Sequence, residues 1–238
     1  MSAPPAAGRA GTSAPPAGYG RRCDARRNRR ALLEAAAEAF AQGGIEVTAG
    51  EIARRAGVAK GTLFRHFPAK SDLVTAVLLD RMLQLRALIA EVSAARPPGL
   101  RALAELMSRG AELLAADRSF FDAAMRDAMA DQELALAKLD LEAALDQLVA
   151  AAQACGEVRA DVAGVDIAML MMAATNTCAP ANELQPQLWR RYLALMIDGL
   201  RPGATSILPA PVLTGARFSR GRRALTRGGA VGGRRTVS

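Results

Sequence analysis

Histidine is nearly missing from this chain of 238 residues: the one imidazole is His66. No His-dependent catalytic triad and no His-based metal site can therefore be assembled elsewhere in the sequence. Cysteine is almost as scarce, and Cys23, Cys155 and Cys178 are odd in number and far apart, which fits neither a disulfide framework nor metal-ligand spacing. No Walker loop occurs, and no GxGxxG follows a strand-like run, so nucleotide and dinucleotide cofactors have no cradle. The longest uncharged stretch in an expected helix, residues 167–182, is 16 residues and contains Pro180, against the about 20 apolar residues a spanning helix needs. The opening MSAPPAAGRAGTSAPPAGYG has no apolar h-region of a signal peptide. These absences point to a soluble, cytoplasmic protein that is not an enzyme, needs no cofactor or metal, and has no membrane partner. A hydrophobic share of 51% is ample for a core.

Acidic residues are missing from one place in particular. Residues 201–238 carry eight Arg and no acid, and residues 1–30 carry seven Arg against one Asp, whereas residues 31–200 have 16 Lys and Arg against 22 Asp and Glu. The net charge of +8 thus resides in the tails. Rich in Pro, Gly, Ala and Arg without apolar period, both tails read as disordered. Arg21, Arg22, Arg26, Arg27, Arg29 and Arg30 run into the first helix and suit phosphate or minor-groove contacts.

What is present is concentrated in residues 46–70, EVTAGEIARRAGVAKGTLFRHFPAK. Thr48 is a good N-cap, since its hydroxyl can accept a bond from a free amide of the helix that follows. Ile52, Ala53 and Ala56 recur at helical spacing, and Gly57 can take the left-handed conformation that closes a helix. Val58 then tucks into the angle between two helices. Leu63, Phe64 and Phe67 give the second helix an apolar face, and Pro68 stops it. Its other face carries Lys60, Thr62, Arg65 and His66, hydrogen-bond donors suited to phosphate oxygens and base edges. Such a helix pair also occurs as plain packing in all-α proteins.

The wording decides between these readings. The run from Arg30 to Val77, with LLEAAAEAFAQGG followed by GEIARRAGVAKGTLFRHFPAKSDLVTAV, resembles the N-terminal DNA-binding domain of the TetR family of transcriptional regulators. The resemblance implies a helix-turn-helix in which Thr48, Lys60, Gly61, Thr62, Phe64, Arg65, His66 and Lys70 occupy the positions that face the operator. Three features depart from the family pattern. Phe64 stands where Tyr is common, Ala59 stands where Ser or Thr often caps the recognition helix, and the link from Gly44 to Ile52 is one residue shorter than in many members.

Beyond Lys70 the chain reads as helices throughout. Ser71 can cap one reaching to about Ala95, and others follow at 100–116, 119–129, 131–154, 165–178 and 186–200. Every methionine but Met1 lies after the helix-turn-helix. Methionine adapts to varied apolar ligands, so Met107, Phe120, Phe121, Met125, Met129 and Met172 are the candidate lining of an effector pocket. Arg109 and Arg126 lie beside apolar faces where an acidic ligand would meet them, although surface Arg is the commoner case. In the last helix one apolar row is Leu188, Tyr192 and Leu195 and another is Trp189, Leu193, Met196 and Leu200. Together they span about 160°, against the about 100° a surface helix needs. The surplus row predicts a homodimer interface drawn from Met169, Met172, Ala173, Trp189, Tyr192, Leu195 and Met196.

The sequence thus predicts an all-α chain with a basic arm (1–24), a helix-turn-helix domain (25–85), a helical effector-binding and dimerisation domain (86–201) and a basic tail (202–238). The expected function is a homodimeric repressor that binds double-stranded DNA at a near-palindromic operator and is released by a small apolar or amphipathic ligand. The rival is an architectural protein that coats DNA through its basic tails without sequence preference.

Overall fold

Eight α-helices and one short 3₁₀ turn follow one another among the described residues, with no strand: α1 (Tyr19–Gly43), the 3₁₀ turn (Gly44–Glu46), α2 (Ala49–Arg55), α3 (Lys60–His66), α4 (Lys70–Ala95), α5 (Leu100–Ala116), α6 (Gln132–Ala154), α7 (Gly164–Thr177) and α8 (Leu188–Asp198). The structure is a computed structural model and describes residues 19–95, 97–116, 131–177, 185, 187–203 and 206–210. The expected helix at 119–129 lies outside the described residues.

Three boundaries differ from the sequence reading, each for a local reason. α1 begins at Tyr19, so part of the arm expected to be disordered up to residue 24 is helix; after Gly20 the run RRCDARRNRR contains neither Gly nor Pro, and its Arg and Ala favour helix. α4 begins at Lys70, ahead of Ser71, and its first turn is closed by Asp72, whose Oδ2 accepts the Ala69 N–H at 2.9 Å. The tail expected to be disordered from residue 202 is tied at its start. Arg159 donates its backbone N–H to the Leu200 carbonyl at 2.9 Å and Nη2 to the Ser206 carbonyl at 2.7 Å. A two-pronged pair with Asp161, at 2.6 and 2.8 Å, fixes the same guanidinium.

Two apolar cores result. The first gathers Leu32, Ala36 and Phe40 of α1, Ile52 and Ala53 of α2, Leu63 of α3, Phe67, and Leu73 to Met82 along the first half of α4. The second joins Leu88, Ile89 and Val92 of α4 to α5, α6, α7 and α8, with Leu103, Met107, Leu148, Ile167, Trp189 and Leu193 among its members. α4 therefore belongs to both.

So does α6. Its N-cap Asp131 accepts the Leu134 N–H at 2.9 Å, and that first turn delivers Leu134, 1% exposed, into the first core. Leu141, two turns on, packs against both cores, and the rest of α6 lies in the second. α6 and α7 meet closely at Gly164, where an added Cβ would lie 2.7 Å from the Asp146 amide nitrogen and 2.8 Å from the Leu145 Cβ. The Gly164 N–H donates to Asp146 Oδ1 at 2.8 Å, which fixes this crossing.

Candidate nucleic-acid interface and effector cavity

The α2–turn–α3 segment is built by backbone chemistry at each end. Thr48 and Glu51 form a reciprocal cap: the Thr48 hydroxyl accepts the Glu51 N–H at 3.3 Å, and Glu51 Oε2 accepts the Thr48 N–H at 3.0 Å. The bonds that Glu51 Oε2 accepts from the Thr48 N–H and, at 2.9 Å, from the Thr48 hydroxyl hold its carboxyl below its ordinary range. At the other end Gly57, with φ of 67°, closes α2. Its N–H reaches the Arg54 carbonyl at 3.2 Å, and Val58 N–H reaches the Ala53 carbonyl at 3.0 Å, the two bonds that satisfy the last free carbonyls of a helix. Val58 packs on the first core, so the angle between α2 and α3 is set by both a hydrogen-bonded turn and an apolar wedge. The N-cap of α3 is Ala59, which makes no side-chain cap, as its identity dictates.

α3 then divides into two faces. Leu63 is fully buried and Phe67 nearly so, which anchors the helix from below. Lys60, Gly61, Phe64 and Arg65 are exposed on the outer side, with Thr62 and His66 half-buried at its margins. Phe64, 40% exposed, carries the Lys60 ammonium over its ring at 5.8 Å. The Arg65 guanidinium donates to the Thr62 hydroxyl at 3.4 Å. An added Cβ at Gly61 would meet nothing within 4 Å, so the middle of this face is bare backbone open to a partner. Thr48 is exposed beside it. Lys70 is turned inward: its ammonium donates to the Ile45 carbonyl and ties α4 to the link between α1 and α2. Below the helix, Arg29 stacks over Phe67 at 5.2 Å.

A cavity of 120 Å³ lies between α4, α5, α6 and α7. Met82, Leu85 and Ile89 come from α4, Leu106 and Leu114 from α5, Leu141 and Leu145 from α6, and Val165, Ala168, Met169, Met171 and Met172 from α7. Two charged side chains stand in this apolar wall: Lys138 Nζ pairs with Glu142 Oε1 at 2.8 Å one turn apart on α6, with 16% and 22% of their side chains exposed.

Of the pocket residues expected from sequence, Met172 lines this cavity. Met107 does not; it is fully buried in the second core. Phe120, Phe121, Met125 and Met129 lie outside the described residues. Arg109 faces away from the cavity and grips Glu91 with two bonds of 2.8 and 2.9 Å, which holds the Glu91 carboxyl below its ordinary range. Arg126 also lies outside the described residues. Met82 and the Lys138–Glu142 pair also line the cavity and were not among the residues expected from sequence, although the pair's spacing of four on an otherwise apolar helix face was a readable signal.

The last helix shows which of its rows faces out. Trp189 and Leu193 are buried in the chain's own core, with the Arg190 guanidinium 4.8 Å over the indole. Trp189 is thus withdrawn from the expected dimer surface by packing within its own subunit. Tyr192 is 44% and Leu195 61% exposed, and Ala173 on α7 is exposed as well. Met169, Met172 and Met196 are half-buried, the first two turned to the cavity.

Known proteins match both halves. Residues 32–77 match the family model for bacterial regulatory proteins of the tetR family, and residues 97–202 match that for the C-terminal domain of SbtR-like transcriptional regulators. A TetR transcription regulatory protein from Mycobacterium vanbaalenii has a crystal structure that is 36% identical, covering 76% of this chain and 99% of that one at a TM-score of 0.56. A TetR transcriptional regulator from Streptomyces coelicolor is 31% identical over 74% of this chain and 99% of its own, at a TM-score of 0.59. Among curated proteins, the uncharacterized HTH-type regulator TtgW of Pseudomonas putida is 41% identical over 59 residues, which span 24% of this chain and 44% of that protein.

Proposed function

This chain belongs to the TetR family of bacterial regulatory proteins and is a DNA-binding transcriptional regulator rather than an enzyme, and on that premise we propose that it is a homodimeric repressor released from a near-palindromic operator by a small apolar or amphipathic ligand. The observation that carries the reading is the outer face of α3. Lys60, Gly61, Phe64 and Arg65 are displayed there on a helix whose angle is fixed by the Gly57 turn and whose underside is locked by Leu63. A rigid helix with donors outward and bare backbone at its centre suits insertion into a major groove. In this reading Lys60 and Arg65 address base edges, while Thr48, Thr62, Phe64, His66 and Lys70 set the position on the backbone. Lys70 has donors beyond the one given to Ile45, so it can bridge the α1–α2 link to a phosphate.

Two copies place their recognition helices about 34 to 36 Å apart, one DNA turn, when paired across a two-fold axis. The face proposed for that pairing is Tyr192 and Leu195 of α8 with Ala173 of α7, apolar surface left open in the single chain. Within each subunit the reading domain spans residues 25–85 and the effector and dimerisation domain residues 86–201. A ligand in the cavity touches α4 and α6, both of which reach into the first core, so it biases the spacing of the reading heads to the extent that it prefers one geometry. Such a regulator works in the cytoplasm, where the DNA is.

Nuclease footprinting on the DNA upstream of its own gene tests this. A protected, roughly two-fold symmetric site that survives competition by random duplex supports the reading. Protection that spreads without sequence preference supports the architectural alternative instead.

A further inference from the structure

We propose that the Lys138–Glu142 pair is the head-group site of the cavity, and that the ligand is a compact apolar body bearing a cation that displaces the Lys138 ammonium from Glu142. The inference rests on the reading of the cavity as an effector site. Its volume of 120 Å³ is close to the about 150 Å³ that accepts a benzene ring, which sets the size of the apolar body. The rest of the wall is aliphatic and thioether, so the pair is the only polar feature among the described lining residues with which a ligand can be oriented.

The sign of the ligand follows from three observations. Glu142 holds the ammonium through Oε1, and a carboxylate has lone pairs enough to accept from a further donor. Lys138 sits on a four-carbon stem and is already 16% exposed, so its ammonium can withdraw to water while its methylenes stay in place. Residues 86–201 carry 11 Lys and Arg against 16 Asp and Glu, so the surrounding field favours a cation over an anion. In this exchange Lys138 is the internal stand-in for the ligand's charge. The exchange takes place one turn from Leu134, which is buried in the core of the reading domain, so the head group acts on the helix that joins the two cores.

The test uses the full chain with methyl-labelled methionine and three ligands of matched size: 2-phenylethylamine, 2-phenylethanol and 3-phenylpropanoate. The Met169 and Met172 methyl resonances report the cavity, and those of Met107 and Met196 serve as internal references for intact packing. The amine is expected to shift the cavity resonances and to half-saturate about tenfold below the alcohol, as a charge-assisted hydrogen bond implies. Glu142→Gln should abolish that preference, and Lys138→Met, which leaves Glu142 without its partner, should strengthen amine binding. An alcohol that binds as well as the amine, or a propanoate that binds best, overturns the head-group assignment and leaves the cavity as an effector site. If none of the three moves Met169 or Met172, the cavity does not take ligands of this kind, and the effector reading fails together with the inference.

Discussion

At the residue scale, the glycine in the middle of α3 separates folding from recognition. An added methyl at Gly61 meets nothing in the free protein, and alanine favours helix over glycine by about 1 kcal/mol. Gly61→Ala is therefore expected to keep or raise the melting temperature while weakening operator binding, because the methyl stands where groove and backbone approach each other. Unchanged binding with raised stability would show that nothing approaches this face. Thr48 is the converse case, since its hydroxyl already serves the α2 cap. Thr48→Ala should cost about 1 kcal/mol of stability, and Thr48→Ser should restore it. The cap also depends on pH. Because the folded state holds the Glu51 carboxyl below its ordinary value, its contribution is present above the unfolded pKa of about 4.3 and is lost as pH falls through the folded value. Thermal melts between pH 3 and 6 should show a steeper acid decline for wild type than for Glu51→Gln.

At the element scale, the helices differ in how far sequence alone specifies them. The α2–turn–α3 unit was legible because each of its signals acts within a few residues: Thr48 at the start, Gly57 at the angle, Leu63 beneath, Pro68 at the end. The partner of Thr48 in the cap, Glu51, was not read from the sequence, although the spacing of three carries that signal. The cavity was not legible, because which methionine faces it depends on how four helices cross. Met107 and Met172 look alike in sequence, yet one is sealed in the core and the other lines the cavity. Likewise, the two apolar rows of α8 could be found by period, but only packing of Trp189 and Leu193 against α5 and α7 shows which row is left outside. Gly110 on α5 offers a test of the crossing. An added Cβ there would lie 3.0 Å from Met171 Sδ and 3.5 Å from Leu85 Cδ2, two side chains of the cavity wall. Methionine yields easily, so Gly110→Ala should fold with stability within about 1 kcal/mol of wild type, the helix gain offsetting the shift. The displaced Met171 should narrow the cavity and weaken small-ligand binding, as measured by calorimetry. Gly110→Ala with undiminished ligand affinity would place the binding site elsewhere.

At the scale of the whole molecule, α4 and α6 each contribute to both cores, so the two regions cannot change their relation without repacking Met82, Leu134 and Leu141. Under the proposed function, ligand and operator would bias one equilibrium from opposite ends through these two helices. The assembly is expected to depend on the open face of α8. Leu195→Arg should sediment as a folded monomer with little operator affinity, while Leu193→Arg, at a buried position, should fail to fold; a dimeric Leu195→Arg protein would move the interface elsewhere. The basic ends should add salt-dependent affinity without changing the site. The central claim, that the outer face of α3 reads DNA, is tested most directly by fluorescence anisotropy of the footprinted duplex with wild type, Lys60→Ala and Arg65→Ala at one salt concentration. Each variant is expected to keep the wild-type melting temperature, lose about 1 to 3 kcal/mol of operator affinity and bind random duplex almost as before. Operator affinity equal to wild type in both variants would contradict the claim.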